Sequence, residues 1–359
     1  MTAPETPASK EPRPEGLSFP ARSDPLAVSR LFRGRRDPVV FLESILGEPY
    51  REYRVLWERS GRGELSLKFP LHVDYELRSV CNYRCPMCLF GDPAFTREGA
   101  LAGTELSLEL VKDLVSFGVE RGQKALGFGG LWEPLLHPDT PAVVRFARER
   151  GILDLMLSTN GSVLNRKLSR ELADSGLTRL SVSLDAVTEE TYRKMRPGGT
   201  LKAAEDGIEA FLAARRETGS ALPLLRLSFL VTKFNEHELR PFLERWRDLC
   251  DFFSVQRYGC YRDKGREPLF PSETREADPF FLCPQPFQRL LVRHNGDVLP
   301  CCDLSALDFP VGNVRRSSLA EIWEGEKMKG FRAASRDPGA APGVCRRCRE
   351  KYRKPPEKN

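Results

Sequence analysis

The chain has no uncharged apolar run long enough to cross a bilayer, and its N-terminus lacks the apolar core of a secretory signal. Membrane insertion and export are therefore not expected, and a cytoplasmic location follows by default. Clustered basic residues interleaved with aromatics are also missing. The 56 Lys and Arg are scattered among 50 Asp and Glu and leave a net charge of only +6, which argues against a nucleic-acid partner. No repeat of solenoid type is present. Without an export signal, the ten cysteines are expected as reduced thiols and metal ligands, not as disulfides.

What is present fits one large α/β domain and a small one: 359 residues, 40% hydrophobic, with a mean hydropathy of -0.40. Residues 1–24 are rich in Pro, Ser, Thr and Glu and hold almost no large apolar side chains, which predicts a disordered leader. Over 25–70, residues such as Val28, Leu31, Phe32, Val40, Leu42 and Ile45 suggest short helices. From Leu71, strand-like stretches (71–79, 124–129, 153–158, 179–184, 224–231 and 252–256) alternate with amphipathic helical ones (107–121, 141–150, 166–175, 189–194, 203–218 and 236–250). That alternation predicts a parallel sheet with right-handed crossovers, over about 71–262. From 263 to 350 Pro, Gly and Cys become frequent and the strands shorten, marking a second module, and a basic tail covers 351–359.

Three cysteines, Cys81, Cys85 and Cys88, stand in the run Cys-Asn-Tyr-Arg-Cys-Pro-Met-Cys just after the first strand candidate. A zinc site or a disulfide framework brings its cysteines in pairs and wants four ligands. Three close thiolates can hold three corners of a [4Fe–4S] cluster and leave the fourth iron open. A zinc knuckle with a distant fourth ligand is the competing reading. The C-x3-C-x2-C spacing resembles the radical S-adenosylmethionine (radical SAM) superfamily. That resemblance implies an α/β fold, a partial (β/α)6 barrel, with chemistry at the C-terminal ends of its strands. It also implies an oxygen-sensitive cluster on the three cysteines, its open iron chelated by SAM. An electron from the cluster would cleave SAM to methionine and a 5′-deoxyadenosyl radical, which abstracts hydrogen from the substrate.

Other segments carry the resemblance further. Gly127-Phe-Gly-Gly-Leu-Trp-Glu-Pro resembles the family's Gly-Gly-Glu-Pro segment, with Gly129, Gly130 and Glu133 at the ammonium group of SAM. Leu131 and Trp132 separate Gly130 from Glu133, where the family pattern is contiguous. Glu133-Pro134 also reads as a plain turn, and His137 reads equally as a capped loop residue. Ser158-Thr-Asn-Gly161 and Ser181-Val-Ser-Leu-Asp185 follow at successive strand ends. The resemblance implies Ser158, Asn160 and Ser183 around the ribose, Arg196 at the SAM carboxylate, and Met87 against the adenine.

In the second module Cys283, Gly296 and Cys301 form C-x12-G-x4-C, and Cys345-Arg-Arg-Cys348 follows. The run Arg293–Pro300 reads as a hairpin turning at Asn-Gly. This resembles the SPASM and Twitch extensions of radical SAM enzymes, and implies one auxiliary [4Fe–4S] cluster on Cys283, Cys301, Cys345 and Cys348. A zinc ribbon is the competitor. Absence of further cysteines after Cys348 favours the shorter Twitch form, and Cys302 reads as a spare neighbour. Cys250 reads as packing; Cys260, after the sixth strand, is open between hydrogen-atom donor, ligand and packing. The auxiliary spacing is closest to the 2-deoxy-scyllo-inosamine dehydrogenase type of natural-product enzyme. Oxidation or epimerisation of a sugar or aminocyclitol is then expected, with Cys260, Arg257 and Asp185 as candidate catalytic groups. The alternative is a maturase acting on a ribosomally made peptide. Either needs an electron donor such as a flavodoxin or ferredoxin.

Overall fold

The computed structural model describes residues 29–32, 37–91, 104–258, 283–301 and 304–337, together with Cys345. The expected leader and basic tail lie outside the described residues, as do Cys260, Cys302 and Cys348. Strand β1 (Ser29–Phe32) and helices α1 (Pro38–Leu46) and α2 (Glu48–Gly61) come first. Six strands follow: β2 (His72–Tyr75), β3 (Ala125–Phe128), β4 (Asp154–Thr159), β5 (Arg179–Ser183), β6 (Leu224–Val231) and β7 (Phe252–Arg257). They lie side by side in chain order, each parallel to the next, as the alternating pattern predicts. The crossovers carry α3 (Leu108–Val119), α4 (Thr140–Glu149), α5 (Arg166–Ala173), α6 (Glu189–Met195), α7 (Leu201–Glu217) and α8 (Leu239–Trp246).

Local chemistry sets these boundaries. Ser107, Asn165, Thr188 and Thr200 each accept a first-turn backbone N–H with the side chain, starting α3, α5, α6 and α7. Along the strands, the two-residue period turns Val73, Tyr75, Leu126, Phe128, Leu155, Leu157, Leu180, Val182, Leu225 and Leu227 into the main core beneath the helices. The alternate positions, among them Asp74, Ser158, Ser181 and Arg226, face the barrel interior and are largely polar.

Helices α1 and α2 close the N-terminal end of the barrel. Leu42, Tyr50 and Tyr53 pack there on Leu71, Ala125, Leu224 and Phe252. The segment is not purely helical, because β1 pairs antiparallel with β7 from Ser29↔Gln256 to Phe32↔Phe253. No local pattern announces that strand; the free edge of β7 creates it.

The second module holds α9 (Gln285–Gln288), β8 (Arg289–Val292), β9 (Asp297–Leu299), β10 (Gly312–Asn313), α10 (Leu319–Glu324) and α11 (Glu326–Arg336). The expected hairpin is β8–β9, turning at Asn295-Gly296 with Gly296 at φ 88°. Strand β8 also pairs parallel with β2, so both modules share one ten-stranded sheet. Among the described residues no helix is long and apolar enough to cross a membrane.

Candidate active site

The cysteine loop leaves the C-terminal end of β2. Tyr83 N–H points at Cys81 Sγ (3.4 Å), and Cys88 N–H donates to the Cys85 carbonyl (3.0 Å). Gly91 ends the loop so closely that a Cβ there would lie 2.1 Å from the Cys85 carbonyl oxygen. Burial raises the pKa of all three thiols, and pushes Cys88 up to about 12. None of the three is in a disulfide. Among the described residues, no three His, Cys, Asp or Glu side chains converge tightly enough to hold one metal ion. Cys81 and Cys88 nonetheless each feel the charge of Cys85. Thiols that interact without converging suit a multi-iron group better than a single zinc. Arg196 adds a cation, with Nη1 4.0 Å from Cys85 Sγ and a buried Nε that has no partner. An unspent donor beside the half-buried thiols fits an anionic group there.

The loop after β3 wraps against this one. Gly130 has φ 111°, a conformation L side chains rarely adopt, and a Cβ there would sit 2.4 Å from Glu76 Oε1. Glu76 in turn accepts from Leu131 N–H (3.2 Å) and from Arg293 Nε (3.1 Å). The two residues that break the contiguous pattern are both buried. Trp132 lies edge-on to Phe90 (4.5 Å between centroids) and to His294 (5.5 Å), so the insertion wedges the cysteine loop against the second module.

Glu133 is 4% exposed and accepts from Asn160 N–H (2.7 Å), Thr159 Oγ1 (2.7 Å) and Leu135 N–H (3.1 Å). Burial raises its pKa against those bonds. It therefore caps the short turn over Pro134–Leu136 while tying that turn to the end of β4. Asn160 donates on to Asn82 Oδ1 (2.9 Å), which joins the β4 end to the cysteine loop. His137 accepts from Asp139 N–H through Nδ1 (3.2 Å), the capped-loop reading. Gly129 lies beside Ser158, which is half-buried in the barrel.

Asp185 has a different situation from a free base. It is 1% exposed with φ 64°; Oδ1 accepts from Leu230 N–H (2.7 Å) and Oδ2 from Arg196 Nη2. Both oxygens are thus committed, and the residue holds Arg196 in place. Met87 packs with Met195 and Tyr258 beside Cys85. Arg257 ends β7, and Cys250 is fully buried in the core.

The register of the strands builds a polar wall that motif reading missed. Ser158 pairs with Ser181 and Ser181 with Arg226 across β4, β5 and β6, while Ser183, Ser228 and Ser254 align one step higher. Ser181 Oγ and Ser228 Oγ are 3.0 Å apart. The two-residue period running back from Ser183 was the available signal for Ser181 and Arg179.

Residues 75–245 match the radical SAM superfamily, and residues 283–349 match SPASM, an iron–sulfur cluster-binding domain. The chain therefore carries a radical SAM domain over 75–245 and a SPASM domain over 283–349. Its radical SAM domain implies a [4Fe–4S] cluster and SAM, and its SPASM domain implies auxiliary iron–sulfur clusters. The chain is 26% identical over 306 residues to the tungsten-containing aldehyde ferredoxin oxidoreductase cofactor-modifying protein of Pyrococcus furiosus, covering 72% of this chain and 82% of that one. It is 30% identical over 169 residues to a probable GTP 3′,8-cyclase of Methanococcus maripaludis, covering 47% of this chain and 52% of the cyclase. It thus spans about half the length of that relative. Streptococcus suis SuiB bound to its precursor peptide SuiA shares the fold at a TM-score of 0.58, with 16% identity over 80% of this chain and 71% of SuiB.

Within the SPASM domain, Cys283 precedes α9 and Cys301 follows β9; Cys301 borders the cluster of Leu291, Leu299 and Ala306. Leu307 touches that cluster and also the one formed by Leu89, Leu131 and Trp132 beside Cys88. The two cysteine regions are therefore linked by continuous apolar packing. Cys345 is half-buried, and neither it nor Cys283 or Cys301 is in a disulfide.

Proposed function

We propose that this chain takes hydrogen from a carbon of a hydroxyl-rich small molecule, a sugar or aminocyclitol, seated against the polar wall of the barrel, and so dehydrogenates or epimerises it. The observation that carries this reading is the placement of three half-buried thiols in the loop after β2, above a wall of seryl hydroxyls. Cys81, Cys85 and Cys88 would hold the [4Fe–4S] cluster, and Cys283, Cys301, Cys345 and Cys348 one auxiliary cluster. When bound, the first cluster supplies the electron that cleaves SAM and so gives the hydrogen-abstracting species.

The chain's own residues do the rest. Glu133 and the Gly129–Gly130 backbone receive the SAM ammonium group, Ser158, Asn160 and Ser183 the ribose, and Met87 the adenine. Arg196 receives the carboxylate with the donor that Asp185 leaves free. Asp185 is a positioning residue in this scheme, and Arg257 and Cys260 stay as the candidates for proton or hydrogen transfer. Ser181, Ser228 and Ser254 exchange hydrogen bonds with substrate hydroxyls. The Pyrococcus relative, of which the chain covers 82%, is named for modifying a cofactor, which sits with a non-peptide substrate. A peptide substrate has only the likeness to SuiB behind it, and that is a likeness of fold.

Iron and acid-labile sulfide on anaerobically reconstituted protein test the reading. About eight irons in the wild type should fall to about four when Cys81, Cys85 and Cys88 are all changed to Ala. An unchanged iron content in that variant would overturn the assignment.

A further inference from the structure

Among the described residues, several arginines in and around the sheet have a carboxylate opposite. Arg179 pairs with Asp154 in and around β4 and β5, Arg289 with Asp74, and Arg293 with Glu76. Arg226, on β6, has none among the described residues. Its Nε donates to Ser181 Oγ (2.7 Å) and its Nη2 reaches Ser158 Oγ (3.5 Å). Among the described residues Nη1 has no hydrogen-bond partner. Burial, with Arg179 nearby, lowers its pKa to about 10, so it stays cationic at neutral pH. A cation held in a partly buried site against two neutral hydroxyls is costly unless an anion completes it. The guanidinium fork also suits two-point binding of an oxyanion, and Ser181 can donate to the same group.

We propose that Arg226, with Ser181, is the subsite for an anionic group on the substrate, a carboxylate or a phosphate. The substrate is then a sugar acid or sugar phosphate. An aminocyclitol fits less well, because its ammonium group would face an uncompensated guanidinium. This rests on the barrel-substrate reading above and narrows it.

The test is equilibrium binding of glucuronate, glucose 6-phosphate, glucose and glucosamine to anaerobically reconstituted protein with SAM present. One of the two anionic probes should bind at least tenfold more tightly than glucose, and which one does so separates carboxylate from phosphate. Arg226→Gln should bring that ratio close to one, and Arg226→Lys, which keeps the charge, should retain part of it. The proposal is overturned if the wild type shows no anion preference, including no binding at all, or if Arg226→Gln keeps the preference. It is overturned equally if Arg226→Gln weakens SAM binding in the same proportion, since the guanidinium would then serve the carboxylate of SAM. Iron and sulfide content does not depend on Arg226, so the wider reading and this one fail separately.

Discussion

The two ends of the barrel treat charged groups differently. Among the described residues the floor pairs its charges, although the neutral Tyr50 hydroxyl and His72 Nδ1 find no partner: Arg179 is answered by Asp154, which also accepts from Thr178, and Arg289 by Asp74, which also meets His72. Tyr50 and Tyr53 seal that end under α1 and α2. Toward the mouth, groups are left with capacity to spare. Burial raises the pKa of three thiols there, Arg196 keeps an unpartnered Nε, and Arg226 faces hydroxyls instead of a carboxylate. A buried charge that is matched inside the chain stabilises the fold; one that is unmatched has room for a ligand. The floor is therefore built for stability and the mouth for binding.

The sharpest way to break that contrast is at the mouth. Cys85→Ala should abolish SAM cleavage, measured as 5′-deoxyadenosine under reducing conditions, while the circular dichroism spectrum of the iron-free protein is retained. Normal cleavage by this variant would remove the distinction altogether. At the floor the reverse is expected. Asp154→Asn leaves Arg179 without its carboxylate, a loss of about 3–5 kcal/mol. That should show as a lower urea midpoint, with 5′-deoxyadenosine yield per folded molecule near wild type.

A smaller effect, also at the floor, depends on pH. Burial alone would raise the Asp74 carboxyl, but Arg289 and His72 outweigh it and hold the pKa at about 2. The group is thus depressed in the folded state. Its contribution of about 2 kcal/mol is complete above the unfolded value near 4 and disappears as pH falls toward 2. Urea midpoints of wild type and Asp74→Asn should therefore converge between about pH 4 and pH 2. A gap that stays constant across that window would mean the ion pair is not what the carboxylate contributes.

Local pattern carried the six parallel strands, because short apolar runs alternate with amphipathic stretches and four of the six crossover helices start at a side-chain cap. It did not carry β1 or the pairing of β8 with β2, since both depend on an edge that exists only once the sheet has formed. The cysteine loop was legible because its chemistry lies in eight consecutive residues. Arg226 was not, because whether a buried cation is paired depends on the register of β4, β5 and β6. Asp185 shows the same limit from the other side. A carboxylate at a strand end reads as a candidate base until Arg196 and Leu230, eleven and forty-five residues away, are found occupying it.

Glu133 is where the two halves of the comparison meet, because it caps a turn and is also placed at the SAM site. Changing it to Gln keeps the shape and removes the charge. The amide oxygen can still accept from Asn160 N–H, and Thr159 can turn its hydroxyl to accept from the new amide. Leu135 N–H then loses its acceptor, a cost of about 1–3 kcal/mol. Part of that cost is offset, because burial raises the Glu133 pKa and so disfavours the carboxylate. The net change in stability should be about 1 kcal/mol in the urea midpoint. If the carboxylate also receives the SAM ammonium group, SAM affinity should fall about tenfold, more than the midpoint shift predicts. If affinity holds while the midpoint drops, Glu133 belongs with the floor residues as a structural cap, and the boundary between stability and binding lies higher in the barrel than Glu133.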